Sequence, residues 1–477
     1  MRDKYEVVIG MEVHAQLKTK SKAFSMEGNG FGAEPNSLVG PRTMGIPGML
    51  PVLNKEAVEM SILTGLALDC EIPPRCKFDR KHYFYADLPS GYQTSQLDEP
   101  ICVRGKMTLS NGKVIGITRA HLEEDAGKLV HAGSDGLAGS SYSLVDLNRA
   151  CATLLEIVTE PDLRSSDEAK EFLETLRSIV RYIGTCDGNL EEGSMRCDAN
   201  VSVMLKGATK YGTRVEIKNL NSFRALQRAI EYEVDRQIDT LEAGGTLVQE
   251  TRLWDDNAGH TSSMRSKEDA QDYRYFPDPD LPPLEVSREW VERIRATMPE
   301  LPEQKRQRYI GLGLSEYDAG VILEQMDLAM FFDEVLKTGA NPKLAVNFLT
   351  GEIAAYLKEE KLEIGETKLT PENLAELIDL IEKGTISNNI GKQIIIEMLS
   401  DGKKASEIVA EKGLSQISDT GAIKEIVQKI VDANPEQAAA YKAGRVQLLG
   451  FFVGQVMKET QGRANPQTVN ELLKEIL

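Results

Sequence analysis

The run Gly10-Met11-Glu12-Val13-His14-Ala15-Gln16-Leu17 alternates in character. As a strand it puts Glu12, His14 and Gln16 on one face and Val13, Ala15 and Leu17 on the other. A carboxylate and an imidazole then project side by side and can hold a metal ion, although a lone Glu-x-His is more often a solvated sheet face. Further carboxylates are needed to decide. In Thr118-Arg119-Ala120-His121-Leu122-Glu123-Glu124-Asp125 the same alternation groups Arg119, His121 and Glu123 against Thr118, Ala120, Leu122 and Glu124. Glu123 reads as a surface ion-pair partner, whereas Glu124 shares an apolar side. Glu156, in Leu154-Leu155-Glu156-Ile157-Val158, meets apolar neighbours on either face. Buried carboxylates are costly unless paired or bound to a cation, so these positions require a metal ion or a buried arginine. The spacing does not choose between the two.

Two further polar stripes follow the strand period. Arg196, Asp198, Asn200 and Ser202 share one face, and so do Arg214, Glu216 and Lys218. Either alone is commonly a solvated face. Oxygen ligands with one imidazole suit Mg²⁺ or Mn²⁺ better than structural zinc. The run Phe78-Asp79-Arg80-Lys81-His82-Tyr83-Phe84-Tyr85 mixes cations with stackable rings, a composition suited to phosphates and an unstacked nucleotide, or equally to a strand with half its rings in the core. Gly28-Asn29-Gly30-Phe31-Gly32 reads as a flexible surface loop more readily than as a phosphate cradle. No Walker A or Rossmann fingerprint occurs, so any nucleotide would be handled on a metal-carboxylate platform.

The elements that carry these residues are mostly strands up to about Val286, with short β-branched runs and frequent Gly, Pro, Asn and Asp. Two helices interrupt them. One follows Pro161, where Ser165 and Glu168 have capping-box spacing and Phe172, Leu173, Leu176, Ile179 and Val180 form one apolar face. The other runs from about Asn221 to Glu242, with Phe223, Leu226, Ile230, Val234, Ile238 and Leu241 inward and Gly244-Gly245 as the stop. Beyond the Pro-rich Phe276 to Pro283 nearly everything reads as helix. A boundary is expected near residue 295, and a second break around Ser400 to Gly413 precedes four short helical segments, the last opened by Asn465-Pro466. The expected domains are 1–295, 296–409 and 410–477.

A chain of 477 residues has room for two or three domains, and 41% hydrophobic with 27% charged residues is ordinary for a globular protein. Its net charge of −18 excludes a basic nucleic-acid coat, so any RNA partner needs a local site. The last 77 residues carry ten Lys/Arg and ten Asp/Glu, which assigns the acidic excess to the rest. Six scattered cysteines without a CxxC pair read as reduced thiols. The longest apolar stretch, Leu448 to Val456, is far short of the ~20 residues that span a bilayer. The start leads straight into Val7-Val8-Ile9 with no signal or transit pattern, so no membrane contact and a cytoplasmic location are expected.

Taken together, Val8 to His14, Phe78 to Tyr85, Glu123 to Lys128, Asp146 to Arg149, Glu191 to Asn200, Glu216 to Ser222 and Asp272 to Pro277 resemble the family of glutamyl/aspartyl-tRNA amidotransferase B subunits. The resemblance spans essentially the whole chain. It implies an α+β fold: an antiparallel-sheet cradle domain of glutamine-synthetase-like catalytic type, an all-α helical domain and a small helical tail; the tail's balanced charge would allow it to bind tRNA, the alternative being a packing domain with no ligand. It also implies that ATP and Mg²⁺ serve to phosphorylate the side-chain carboxylate of Glu on tRNA(Gln) or Asp on tRNA(Asn). Ammonia then displaces phosphate, supplied by an amidase-type glutaminase A subunit with a small C subunit bracing the pair.

By position in the family pattern, Glu12, His14, Glu124, Glu156 and Asp198 are the implied metal ligands, with Glu12, His14 and Glu124 catalytic. Arg80, Lys81 and Tyr83 are implied for ATP phosphates and the acceptor end. Many relatives carry paired cysteines before Pro47-Gly48-Met49-Leu50-Pro51, whereas Ser25 to Arg42 has none, so no zinc is expected. His82 and Ala86 also depart from the common bacterial pattern of Asn and Pro. The alternative is a non-catalytic scaffold that presents tRNA to an enzyme elsewhere. It accounts for a helical tail but not for carboxylates gathered about His14.

Overall fold

The computed structural model describes residues 2–131, 142–266, 273–415, 420–460 and 462–477; Asp272 lies outside the described residues. The chain forms two compact units, Met1–Leu301 and Pro302–Leu477.

In the first unit the described strands are β1 (Tyr5–Gln16), β2 (Arg75–Cys76), β3 (Asp79–His82), β4 (Tyr92–Ser95), β5 (Cys102–Thr108), β6 (Val114–Glu124), β7 (Lys128–His131) and β8 (Ser143–Asp146). They continue as β9 (Thr153–Thr159), β10 (Met195–Leu205), β11 (Val215–Lys218), β12 (Glu250–Asp255), β13 (His260–Ser266), β14 (Phe276–Pro277) and β15 (Leu284–Glu285). Eight of them make one sheet in the order β13-β12-β11-β10-β1-β9-β6-β5. Every pairing is antiparallel except β11 with β12. The first strand of the sequence is therefore at the centre, where its alternation has consequences on both faces.

Met11, Val13 and Ala15 are buried on one face, and the chain covers that face with two amphipathic helices, α2 (Ser166–Tyr182) and α3 (Phe223–Glu242). A shorter helix, α1 (Lys55–Ala67), adds Ala57, Val58 and Ile62 to the same core. The capping residues act as their types dictate: Ser165 accepts from the Glu168 amide and Ser222 from the Ala225 amide. Only half of a capping box forms, because the Glu168 carboxylate takes the Arg164 amide at 2.7 Å rather than that of Ser165. The apolar face expected on α2 is buried as a set, and α3 adds two polar residues to its buried stripe, Glu233 and Gln237. Glu233 escapes the cost of burial through Arg236 at 2.7 Å and Arg252 at 3.6 Å.

Three short strands, in the order β14-β3-β4, make a second small sheet. Its β4 residues Thr94 and Ser95 reach the end of β6 through hydrogen bonds to Glu124 and Glu123. The chain is thus mixed α/β with one large sheet, followed by a helical C-terminal region.

The second unit is helical throughout its described residues. After α4 (Arg288–Arg295), which closes the first unit, come α5 (Pro302–Gly311), α6 (Glu316–Glu324), α7 (Met326–Lys337), α8 (Pro342–Phe348), α9 (Ala354–Glu360), α10 (Pro371–Glu382) and α11 (Asn388–Asp401). The Gly- and charge-containing break contains a helix of its own, α12 (Ala405–Lys412), bounded by Gly402 and Gly413 in left-handed conformation. The tail holds α13 (Thr420–Ala433), α14 (Pro435–Lys442), α15 (Leu448–Glu459) and α16 (Pro466–Ile476), around a core that includes Ile423, Val427, Phe452, Val456, Val469 and Leu473. Asn465 caps α16 by accepting from the amides of Gln467 and Thr468, with Pro466 at the first helical position. Among the described residues no helix is long and apolar enough to cross a membrane.

Candidate functional site

Strand register builds the site. On β1, His14 lies opposite Arg196 of β10 on one side and Glu156 of β9 on the other, and Glu156 lies opposite His121 of β6. One line across four strands therefore reads Arg196, His14, Glu156, His121. Two residues along β1, Glu12 lies opposite Asp198, and Glu216 of β11 reaches the same region by pairing with Asn200. Directly opposed residues in a sheet stand about 5 Å apart, so the polar stripes of separate strands become one surface.

Two clusters result. In the first, His14 Nε2 is 3.4 Å from Glu156 and 3.7 Å from Glu123, while His121 Nε2 is 3.3 Å from Glu156 and 3.6 Å from Glu123. The Ser95 hydroxyl donates to Glu123 at 3.1 Å. In the second, Glu12 accepts from the Asn200 amide group at 2.9 Å, and Lys218 donates to Asp198 at 2.6 Å and pairs with Glu216 at 2.9 Å. Ligand atoms of His14, Glu123 and Glu156 all lie within 4.8 Å of one another, and so do those of Glu12, Asp198 and Glu216.

The electrostatics follow from crowding and burial. Burial, then the charges of Glu156, Glu216 and Asp198, push Glu12 above the ordinary carboxylate range, with the Asn200 hydrogen bond opposing them. Burial works against an imidazolium at His14, but Glu156 and Glu123 outweigh it and raise the group. The same opposition at His121 ends at about 9, and Glu156 is held well below its usual range by the two imidazoles despite its burial. Oxygen donors with one imidazole form a donor set for a hard divalent ion such as Mg²⁺ or Mn²⁺.

Of the residues expected at the site, the face gathers Glu12, His14, Glu156 and Asp198 but not Glu124. Its side chain is on the other side of β6, where Arg42 Nη2 approaches it at 3.2 Å and the Thr94 amide donates at 2.9 Å. The buried Arg42 is the cation the structure sets beside it. Glu123, read as a surface partner, is instead 2% exposed. The reason is tertiary: the small sheet covers the end of β6, which sequence alternation along one strand cannot reveal. His121 and Glu216 are the other members outside the expected set. Their one sequence signal is their parity with the neighbouring polar residues of their own strands.

The basic and aromatic run lies on and beside β3. The Lys81 ammonium stands 5.1 Å from the Tyr273 ring centre and, among the described residues, no carboxylate is within ion-pair distance. Burial lowers its pKa, yet the fields of Glu123, Tyr275 and Glu156 raise it overall, so it is a cation facing the first cluster. Tyr83 packs edge-on against Tyr273 at 6.0 Å; burial, then nearby Asp87, Glu123 and Asp125, raise its phenol. Arg80, expected at phosphates, is committed to Asp278 at 3.1 Å and Asp280 at 2.6 Å, with its guanidinium over the Tyr92 ring at 4.3 Å.

Residues 7–292 match the family of the GatB/GatE catalytic domain, and residues 330–477 match the GatB domain. The chain is 54% identical to the B subunit of the aspartyl/glutamyl-tRNA(Asn/Gln) amidotransferase of Synechococcus sp. (strain JA-2-3B'a(2-13)), across 99% of this chain and 98% of that protein. The corresponding protein of Trichodesmium erythraeum (strain IMS101) is 51% identical across 100% and 98%. That of Geotalea daltonii is 54% identical across 98% of each.

Proposed function

The chain belongs to the GatB/GatE family and works as a ligase subunit in tRNA-dependent amidation, and we propose that its carboxylate face performs the phosphoryl-transfer half of that reaction. The observation that carries this reading is the pair of clusters on one sheet face, His14 with Glu123 and Glu156, and Glu12 with Asp198 and Glu216. A scaffold that merely presents tRNA has no use for six such groups gathered on one sheet face.

The substrate is a misacylated tRNA, Glu-tRNA(Gln), Asp-tRNA(Asn) or both, and ATP is the phosphoryl donor. The donor sets fit Mg²⁺, which when bound supplies charge neutralisation for the transferring phosphoryl group. His14, Glu123 and Glu156 would hold one ion and Glu12, Asp198 and Glu216 another, and Glu124 drops out in favour of Arg42. Lys81 adds a protein cation at the same place, directed toward the oxygens on which negative charge gathers. Tyr83 closes that side and limits water, which an activated carboxyl group requires. Asn200 and Lys218 orient Glu12, Asp198 and Glu216.

A glutamine-synthetase-like platform describes this arrangement, its support being carboxylates presented by one face of a mainly antiparallel sheet. The partners are an amidase-type glutaminase A subunit and a small C subunit, in the cytoplasm, and the helical tail at about 410–477 contacts tRNA. The balanced charge of that tail supports the contact.

The experiment is reconstitution of the complex with both mischarged tRNAs, following phosphate release and amide formation separately. Glu156→Gln lowers tRNA-dependent phosphate release at least a hundredfold and leaves glutamine hydrolysis by the partner intact. Unchanged phosphate release by the folded variant contradicts the reading.

A further inference from the structure

Among the strands around the site, one is assembled from a distant segment. Residues Tyr273 to Asp280 return to β3 about 200 positions after it and run beside it: the Tyr273 carbonyl accepts from the His82 amide at 2.9 Å, Phe276 and Pro277 pair with Arg80 and Asp79, and the Asp278 amide donates to the Phe78 carbonyl at 2.9 Å. Short two-residue pairings of this kind hold a segment weakly. Side chains add the rest. His82 stacks on Phe276 with ring centres 4.8 Å apart, and Asp278, whose side chain is fully buried, pairs with Arg80 at 3.1 Å. Asp280 takes the far end of the same guanidinium at 2.6 Å, and Tyr92 supports its plane.

The segment ends at the site. Tyr273 is the ring over which the Lys81 ammonium sits, and it also touches Tyr83 and Tyr275. Lys81 is the residue after Arg80, so one strand carries both the clamp and the cation. A lysine has four rotatable bonds, and without a carboxylate partner its direction is set by what surrounds it. Here that is the tyrosine wall.

We infer that Asp278 is a positioning residue for Lys81: through Arg80 it fixes the Tyr273–Asp280 segment along β3, and through Tyr273 it aims the Lys81 ammonium at the cluster of His14, Glu123 and Glu156. Arg80 is then part of the frame and not a phosphate ligand. This rests on the phosphoryl-transfer reading of the face. A cation that must meet charge appearing only during transfer contributes to kcat and little to ground-state binding.

The test uses the reconstituted complex with ammonium chloride as nitrogen donor. Asp278→Asn lowers kcat for phosphate release roughly tenfold, whereas Lys81→Met lowers it about a hundredfold, the scale of one lost transition-state donor. The KM for ATP stays within about twofold, as does calorimetric binding of a non-hydrolysable ATP analogue. The double variant is no slower than Lys81→Met alone, because Asp278 acts only through that ammonium. Should Asp278→Asn fail to fold, Arg80→Lys, which keeps the charge and loses the fork, carries the same comparison. A wild-type kcat in a folded variant, or a further tenfold loss in the double variant, overturns the inference. Glu156→Gln in parallel separates the two claims: if it leaves phosphate release unchanged the reading of the face fails, and if it abolishes release while the clamp variants behave as stated for overturning, only the positioning role fails.

Discussion

His14 and Glu156 are direct neighbours across the central strands β1 and β9, with the imidazole Nε2 3.4 Å from the carboxylate, although 142 positions separate them in the chain. The contact sets an imidazole beside a carboxylate from two distant strand segments, the pair proposed above to hold a metal ion. It also joins the Glu-x-His stripe of β1 to a carboxylate whose flanking residues on β9, Leu154, Leu155, Ile157 and Val158, are apolar.

The Arg42–Glu124 pair is a structural counterweight on the opposite side of β6. Their side chains are 7% and 2% exposed, so removing one charge leaves the other buried without a partner. Glu124→Gln is expected to cost about 3–5 kcal/mol, and replacing both partners with apolar residues of similar volume much less. Denaturant unfolding of the single and double variants checks this.

In the second unit, Asp333 accepts from Arg308 at 2.7 Å and Tyr309 at 2.9 Å and is paired with Lys305. Burial raises its pKa, but Lys305, Arg308 and Tyr309 outweigh burial and hold the group below the ordinary aspartate range. A folded-state pKa below the unfolded one gives stability that is complete above the unfolded value, near 3.9, and lost as pH falls through the lower folded value. Asp333→Asn should therefore destabilise the protein by about 1–3 kcal/mol at neutral pH, with the gap from wild type narrowing below about pH 4. Thermal melting of both proteins from pH 7 to pH 3 follows it.

All six cysteines are buried and unpaired. Burial pushes Cys70 up to about 12 and Cys76 and Cys186 up to about 11, away from the thiolate form that reacts. In native buffer at pH 8 the chain should be nearly inert to a thiol-disulfide dye, releasing six equivalents only after denaturation.

How much of this could be read from the sequence differs by element. The period of Phe172, Leu173, Leu176, Ile179 and Val180 defines a helix face because a helix is a local structure, and Asn465-Pro466 marks a helix start for the same reason. Strand parity likewise places Glu12 with His14 and Arg119 with His121. What parity omits is which strand is next to which. The clusters draw on β1, β6, β9, β10 and β11, whose order is not the chain order, so Glu123 and Glu216 gain their meaning only from register. Glu124 and Arg80 are assigned to chemistry by position in a family pattern, and the partners that claim them, Arg42 and Asp278, lie 82 and 198 positions away, where no local pattern reaches.

In the proposed function this face binds divalent cations through two separate donor sets. Titration of Mn²⁺ into the full-length chain, with free Mn²⁺ followed by electron paramagnetic resonance, tests it most directly. Wild-type binding is expected to be weakened roughly tenfold or more in one set by Glu156→Gln and in the other by Glu216→Gln, each variant retaining the complementary set. Binding that is absent from the wild type, or unchanged in both folded variants, would contradict it.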